Sequence, residues 1–226
     1  MADIVVSGTV THRHHAERGL LRLAVELEGD DRATVVDEGI AVHNRVTEQA
    51  TVLRRQGAAT WWTARSVSVG LVTEPASPDG SRASSVRYRT RSTIEVRFQD
   101  FAALADWVGE LAHVEGVSID GIEWSLGHAR RAEVEQDARL AAVADAVARA
   151  SDYADALGLG SPVLQAVYEP GLRPGEGGSG GAGHLGFGSS RSLMAASMLD
   201  DGGSVVYDLH PADIEVTATI SADFTA

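Results

Sequence analysis

The side chains best suited to chemistry in this chain are its arginines. Arg87, Arg89, Arg91 and Arg97 recur at even spacing between residues 86 and 98. An extended strand turns alternate residues to one face. The four guanidinium groups therefore form a row opposite Val86, Tyr88, Thr90, Ser92, Ile94, Val96 and Phe98. Arg65, on the preceding predicted strand, is placed to join them. A guanidinium fork suits carboxylates and other planar anions. Such a row can be a solvated face paired within the molecule, an acceptor for acidic groups of a neighbouring protomer, or a site for an anionic small molecule or peptide. Trp61 and Trp62 lie on the same predicted strand, one indole to each face. One belongs to the core, and the other is a candidate interface anchor.

His12, His14 and His15 form the second group, with Glu17 close by. Two-residue spacing puts His12 and His14 on one strand face, where they are weak candidates for holding a divalent metal. Two ligands fall short of the three or four that a zinc site takes. An exposed polar turn is the simpler reading. Across an oligomer axis the same histidines would make a contact sensitive near neutral pH. The run Gly175-Glu176-Gly177-Gly178-Ser179-Gly180 has the spacing of a dinucleotide loop, but that loop works only at a strand-to-helix junction inside a βαβ unit. Here the glycines continue to Gly188 instead. Ser125 lacks the glycine two residues earlier that a nucleophile elbow requires. No residue is therefore assigned as catalytic, no cofactor is expected, and the chain is not expected to be an enzyme. A metal-dependent hydrolase built on the histidines is the third-ranked alternative.

Composition narrows the classes further. With 226 residues, of which 44% are hydrophobic, the chain can build a sizeable core. It has no cysteine, which excludes disulfides and thiolate-ligated metals. The formal net charge is −13. An acidic surface repels phosphate backbones, so nucleic acid is not an expected partner. All 19 basic residues are arginine, which excludes Schiff-base chemistry on lysine. No apolar run is long enough to span a bilayer. Ile4-Val5-Val6 follows Met1-Ala2-Asp3 without a basic and apolar export segment, and the expected location is the cytoplasm.

The elements that must position these residues follow from periodicity. Ile4 to His12 reads as a strand. Leu21, Leu23, Val25 and Leu27 alternate with Arg22, Ala24, Glu26 and Glu28 as a half-buried second one. His14 to Gly19 is the expected turn between them. Asp30-Asp31 caps a long helix whose buried stripe is Val35, Gly39, Val42, Val46, Ala50 and Leu53, stopped by Gly57. A strand over residues 61–72, a turn centred on Pro78-Asp79-Gly80 and the arginine-bearing strand make a long hairpin. Asp100 caps a short helix carrying Phe101, Leu104, Val108 and Leu111. Residues 117–126 form a strand. Residues 129–157 form the longest helix, with a heptad-like seam through Leu140, Val143, Val147, Ala150, Ala154 and Leu157. A short strand over 163–168 precedes a glycine- and serine-rich segment, expected to be a flexible loop at about 170–190. Residues 191–199 suggest a helical turn, and Ile214 to Ile220 a last strand. The order β-β-α-β-β-α-β-α-β points to an α+β fold, with an antiparallel or mixed sheet and helices on one face.

Several stretches together resemble the SIMPL-domain family, which includes the periplasmic immunogenic protein group. Ile4-Val5-Val6-Ser7-Gly8-Thr9-Val10 is similar to its opening strand. The first long helix carries Asn44 and ends Leu53-Arg54-Arg55-Gln56-Gly57, as in the family. Tyr88 to Val96 resembles its tyrosine-led central strand. Asp120-Gly121-Ile122-Glu123-Trp124-Ser125-Leu126 resembles its glycine-isoleucine strand, followed by an alanine-rich helix ending Ala156-Leu157-Gly158-Leu159-Gly160. The resemblance implies one SIMPL-like domain over 1–226 and a ring- or cage-like homo-oligomer. It also implies a structural or interaction role, stress-related or partner-binding. Copies of itself are the expected partner, with another protein as a further one. The runner-up function is a binding module for an anionic small molecule or peptide on the arginine face.

Overall fold

Two long strands open the chain, β1 (Asp3–His14) and β2 (Arg18–Gly29). They are followed by α1 (Arg32–Arg55), β3 (Ala59–Ala64), β4 (Ser68–Glu74) and β5 (Ser85–Phe98). Then come α2 (Phe101–Leu111), β6 (Val117–Ser125), α3 (His128–Ala156), β7 (Val163–Tyr168), the two-residue β8 (Arg191–Ser192) and β9 (Ile214–Thr225). The structure is a computed structural model and describes residues 2–74, 85–174, 191–192 and 209–226. The expected turn at 78–80, the glycine-rich stretch from 175 to 190 and most of the expected helical turn at 191–199 lie outside the described residues. Within that last segment, Arg191 and Ser192 extend a sheet rather than a helix.

The fold is α+β, and every strand pair is antiparallel. There are two sheets. One has the order β1-β9-β7; the other runs β3-β5-β2-β6-β8, with β4 also paired to β5. The chain divides accordingly into two units, one holding β1, β7, β9 and α3 and the other holding the remaining elements. The expected turn between β1 and β2 is thus no hairpin turn. It is a crossing between sheets, because β1 pairs along its whole length with β9, some 200 residues away. The strand expected over 61–72 breaks at Arg65–Val67 into β3 and β4, both paired to β5.

In the larger unit, one face of the sheet presents Leu21, Leu23, Val25, Ile94, Val96 and Phe98, all 2% exposed or less. α1 buries Val35, Gly39, Val46 and Ala50 of the stripe its periodicity predicted, while Val42 and Leu53 are half-buried. α2 buries Leu104, Trp107, Val108 and Leu111. Each fully buried Val, Leu, Ile or Phe side chain among these contributes about 2 kcal/mol. Both helices start where carboxylates cap them. Asp31 accepts from the Thr34 amide at 2.8 Å, and Asp100 accepts from the Ala102 and Ala103 amides at 3.0 and 3.1 Å. Gly57 ends the α1 turn with φ +81°, where other residues would be strained.

In the smaller unit, α3 lies over β1 and β9. Its buried stripe differs from the heptad-like seam. It is Val134, Ala138, Ala142, Ala146, Ala150 and Ala154, at strict four-residue steps, while Leu140, Val147 and Leu157 are exposed. Each four-residue step overshoots a full turn by about 40° in a helix of 3.6 residues per turn. The stripe therefore winds around the helix, as it must where a long helix follows a twisted sheet. Alanine lets the backbones approach closely.

Candidate functional site

The arginines stand on the face of the larger sheet opposite α1 and α2. Register explains the placement. Arg22 pairs directly with Glu95, Glu26 with Arg91 and Glu28 with Arg89, and facing residues of an antiparallel pair share a side. The result is a ladder of alternating charge. Arg22 reaches Glu95 at 3.2 Å and Glu123 at 2.9 Å. Arg89 meets Glu26 at 3.3 Å and also pairs with Glu28. Arg91 reaches Glu26 at 3.3 Å, and Arg87 lies 3.4 Å from Asp30 and 3.7 Å from Glu28. Most of these side chains are about one-third exposed. Around Arg22, burial works against the charge, but the hydrogen bonds to Glu95 and Glu123 outweigh it and hold the guanidinium pKa above its ordinary value.

Of the residues singled out beforehand, Arg87, Arg89 and Arg91 are brought together and matched with acids of β2 and of the segment just after it. Arg97 stands on the same face in another manner. Its guanidinium lies 5.2 Å from the Trp61 ring centroid, a cation–π pair. Trp61 faces Arg97 across the ladder and is 37% exposed, while Trp62 faces Val96 on the core side and is only partly exposed. One indole per face was the expectation. Arg65 is exposed in the break between β3 and β4, where its amide donates to the Thr93 carbonyl at 2.9 Å.

The acidic partners Glu26, Glu28, Glu95 and Glu123 were not singled out in the sequence. For Glu26 and Glu28 the signal was their alternation with Leu21, Leu23, Val25 and Leu27 of β2; for Glu95 and Glu123 it was their place opposite the apolar positions of their own strands. Which arginine each would meet depends on register, which no local pattern carries.

His12 and His14 do share one face of β1, the one that turns toward α3. They pair with Val216 and Ile214 of β9, and their ring centroids are 6.1 Å apart. The Nε2 atom of each is buried without a hydrogen-bond partner. His15 points elsewhere, 2.8 Å from Asp213 at the surface. Among the described residues no group of three or more histidine, aspartate or glutamate side chains is placed to hold a metal ion. A further histidine, His43 on α1, shares a 2.8 Å hydrogen bond with Ser92, a buried hydroxyl of β5. Burial lowers its pKa below the usual histidine value.

Among the described residues no helix is long and apolar enough to cross a membrane. Residues 4–224 match the family described as SIMPL, protein of unknown function (DUF541). No curated protein matches the chain.

Proposed function

This chain belongs to the SIMPL family, and we propose that it works by joining copies of itself into a closed, ring- or cage-like homo-oligomer with a structural or interaction role. The observation that carries this reading is the apolar surface left uncovered among the described residues. Most of its large side chains fall between Leu140 and Leu172, including Leu140 at 64% and Leu157 at 67% exposure. Large apolar side chains left exposed in number are where a chain meets partners. The two units are read as one functional domain, since the family match runs through both. The charged ladder fits the same reading as a face kept in water, its arginines already matched by acids of their own chain.

The test is the absolute mass of the untagged protein by light scattering after size exclusion. A discrete multiple of 23.8 kDa is the expected result. A monomer that persists at high concentration would reject the proposal.

A further inference from the structure

His12 and His14 stand in a sheet, not in an exposed polar turn. β1 pairs with β9 in unbroken register from Asp3 to His14. Gly8, Val10, His12 and His14 therefore share one face. Gly8 on that face lies directly against the α3 backbone at Ala142 and Ala146. Val216 and Ile214, the β9 partners of the two histidines, are 3% and 4% exposed. Both histidines are half-buried, and in each it is Nε2 that is shut away from water with no hydrogen-bond partner.

We infer that His12 and His14 together bind one copper(I) ion through their Nε2 atoms. The inference is independent of the self-assembly reading and holds for a single chain or an assembly.

A buried polar atom without a partner costs free energy, and such atoms in folded proteins are uncommon. Here two of the same kind occur two residues apart on one strand face. A neutral imidazole with its proton on Nδ1 turns a bare lone pair at Nε2, which is an acceptor and a metal ligand. An ion held between the two rings satisfies both at once.

The spacing fits. A metal–nitrogen bond of about 2.0–2.1 Å puts an ion roughly 3.2 Å from the centre of each ring that binds it. Two rings sharing one ion then stand about 5.2 Å apart at a tetrahedral angle, and at most about 6.4 Å apart in line. The observed separation of 6.1 Å lies near the linear limit. The 49° tilt between the rings is no obstacle, because each ring plane can turn about its metal–nitrogen bond.

That geometry selects the ion. Among the described residues no third histidine, aspartate or glutamate joins the pair. Zinc takes four ligands in a tetrahedron. Copper(I) has a filled d shell and is stable with two ligands nearly in line, and imidazole suits copper. A single charge also costs less to desolvate among apolar neighbours than a double one. The net charge of −13 draws a cation toward the chain.

The experiment titrates the untagged wild-type chain with copper(I) under argon, in competition with a chromophoric copper(I) chelator. It is repeated with His12→Gln, His14→Gln and His15→Gln, with folding checked by circular dichroism. His15 is the control, because it is next in the chain but sits at the surface against Asp213. The expected result is one copper(I) per chain for the wild type and His15→Gln, lost in either of the other variants. X-ray absorption of the copper-loaded wild type should show two nitrogen ligands. Copper(I) should raise the wild-type melting temperature, as a ligand of the native state does. A wild type that takes up no copper overturns the inference and leaves water to satisfy the two nitrogens. Uptake that survives both His12→Gln and His14→Gln overturns it as well. Should those variants fail to fold, the absorption spectrum decides: copper with three or more ligands, or with sulfur, overturns the site.

Discussion

Gly8 of β1 lies so close beneath α3 that a β-carbon placed on it would sit 2.0 Å from the carbonyl oxygen of Ala142. It would also meet the Ala146 backbone nitrogen at 2.9 Å. Both are backbone atoms of a helix and cannot swing aside. The alanine stripe of α3 and the glycine of β1 thus form one close-packed seam. Gly8→Ala is expected to cost about 3 kcal/mol, at the upper end for overpacking. Gly70→Ala, where a β-carbon meets nothing within 4 Å, should stay within about 0.5 kcal/mol of wild type. Urea titrations of the two variants check this, and equal midpoints would refute the seam.

Arg22 is held between Glu95 and Glu123 on the charged face. Arg22→Ala leaves two carboxylates facing each other across β2. With all three side chains about one-third exposed, the loss should be modest, about 1 kcal/mol. It should shrink in molar salt, which screens such pairs. A loss that is independent of salt would show that Arg22 acts through packing instead.

His43 gives the fold a pH dependence. Its folded-state pKa lies below the ordinary value of 6.5, because burial disfavours the charged ring. The unfolded chain therefore takes up this proton first as the pH falls. The contribution of the neutral ring is complete above about pH 6.5 and is lost as the pH drops through the lower folded value. Melting curves between pH 8 and 5 should show wild-type stability falling relative to His43→Gln over that window. Parallel curves would remove His43 as the source. At neutral pH, His43→Ala strands the buried Ser92 hydroxyl and should cost about 1–2 kcal/mol.

The arginine face is expected to bind free anions poorly, since Arg87, Arg89 and Arg91 each meet a carboxylate of their own chain. Phosphate and citrate at millimolar concentration should leave the melting temperature unchanged, whereas a ligand of the native state would raise it. An increase that disappears in Arg89→Ala would restore an anion site on this face.

Much of the fold was legible in local patterns. The caps at Asp31 and Asp100, the glycine stop at Gly57, the α1 stripe and the arginine row all rest on residues within a few positions of one another. Their causes are backbone hydrogen bonding and side-chain periodicity, which act over one or two turns. The long hairpin was visible for the same reason, although the break at Arg65–Val67 was not.

The sequence by itself determined the α+β class, the family and which side chains share a face in β1, β2, β5 and α1. Tertiary structure alone decided that adjacent β1 and β2 belong to different sheets and that Glu26, Glu28, Glu95 and Glu123 answer the arginines. It also decided that α3 buries alanines while Leu140 and Leu157 face water. In each case the deciding partner is distant in the chain: β9 for β1, β2 for the arginines of β5, and Gly8 for Ala142 and Ala146. Periodicity fixes which way a side chain turns, but only strand register and close packing fix what it meets.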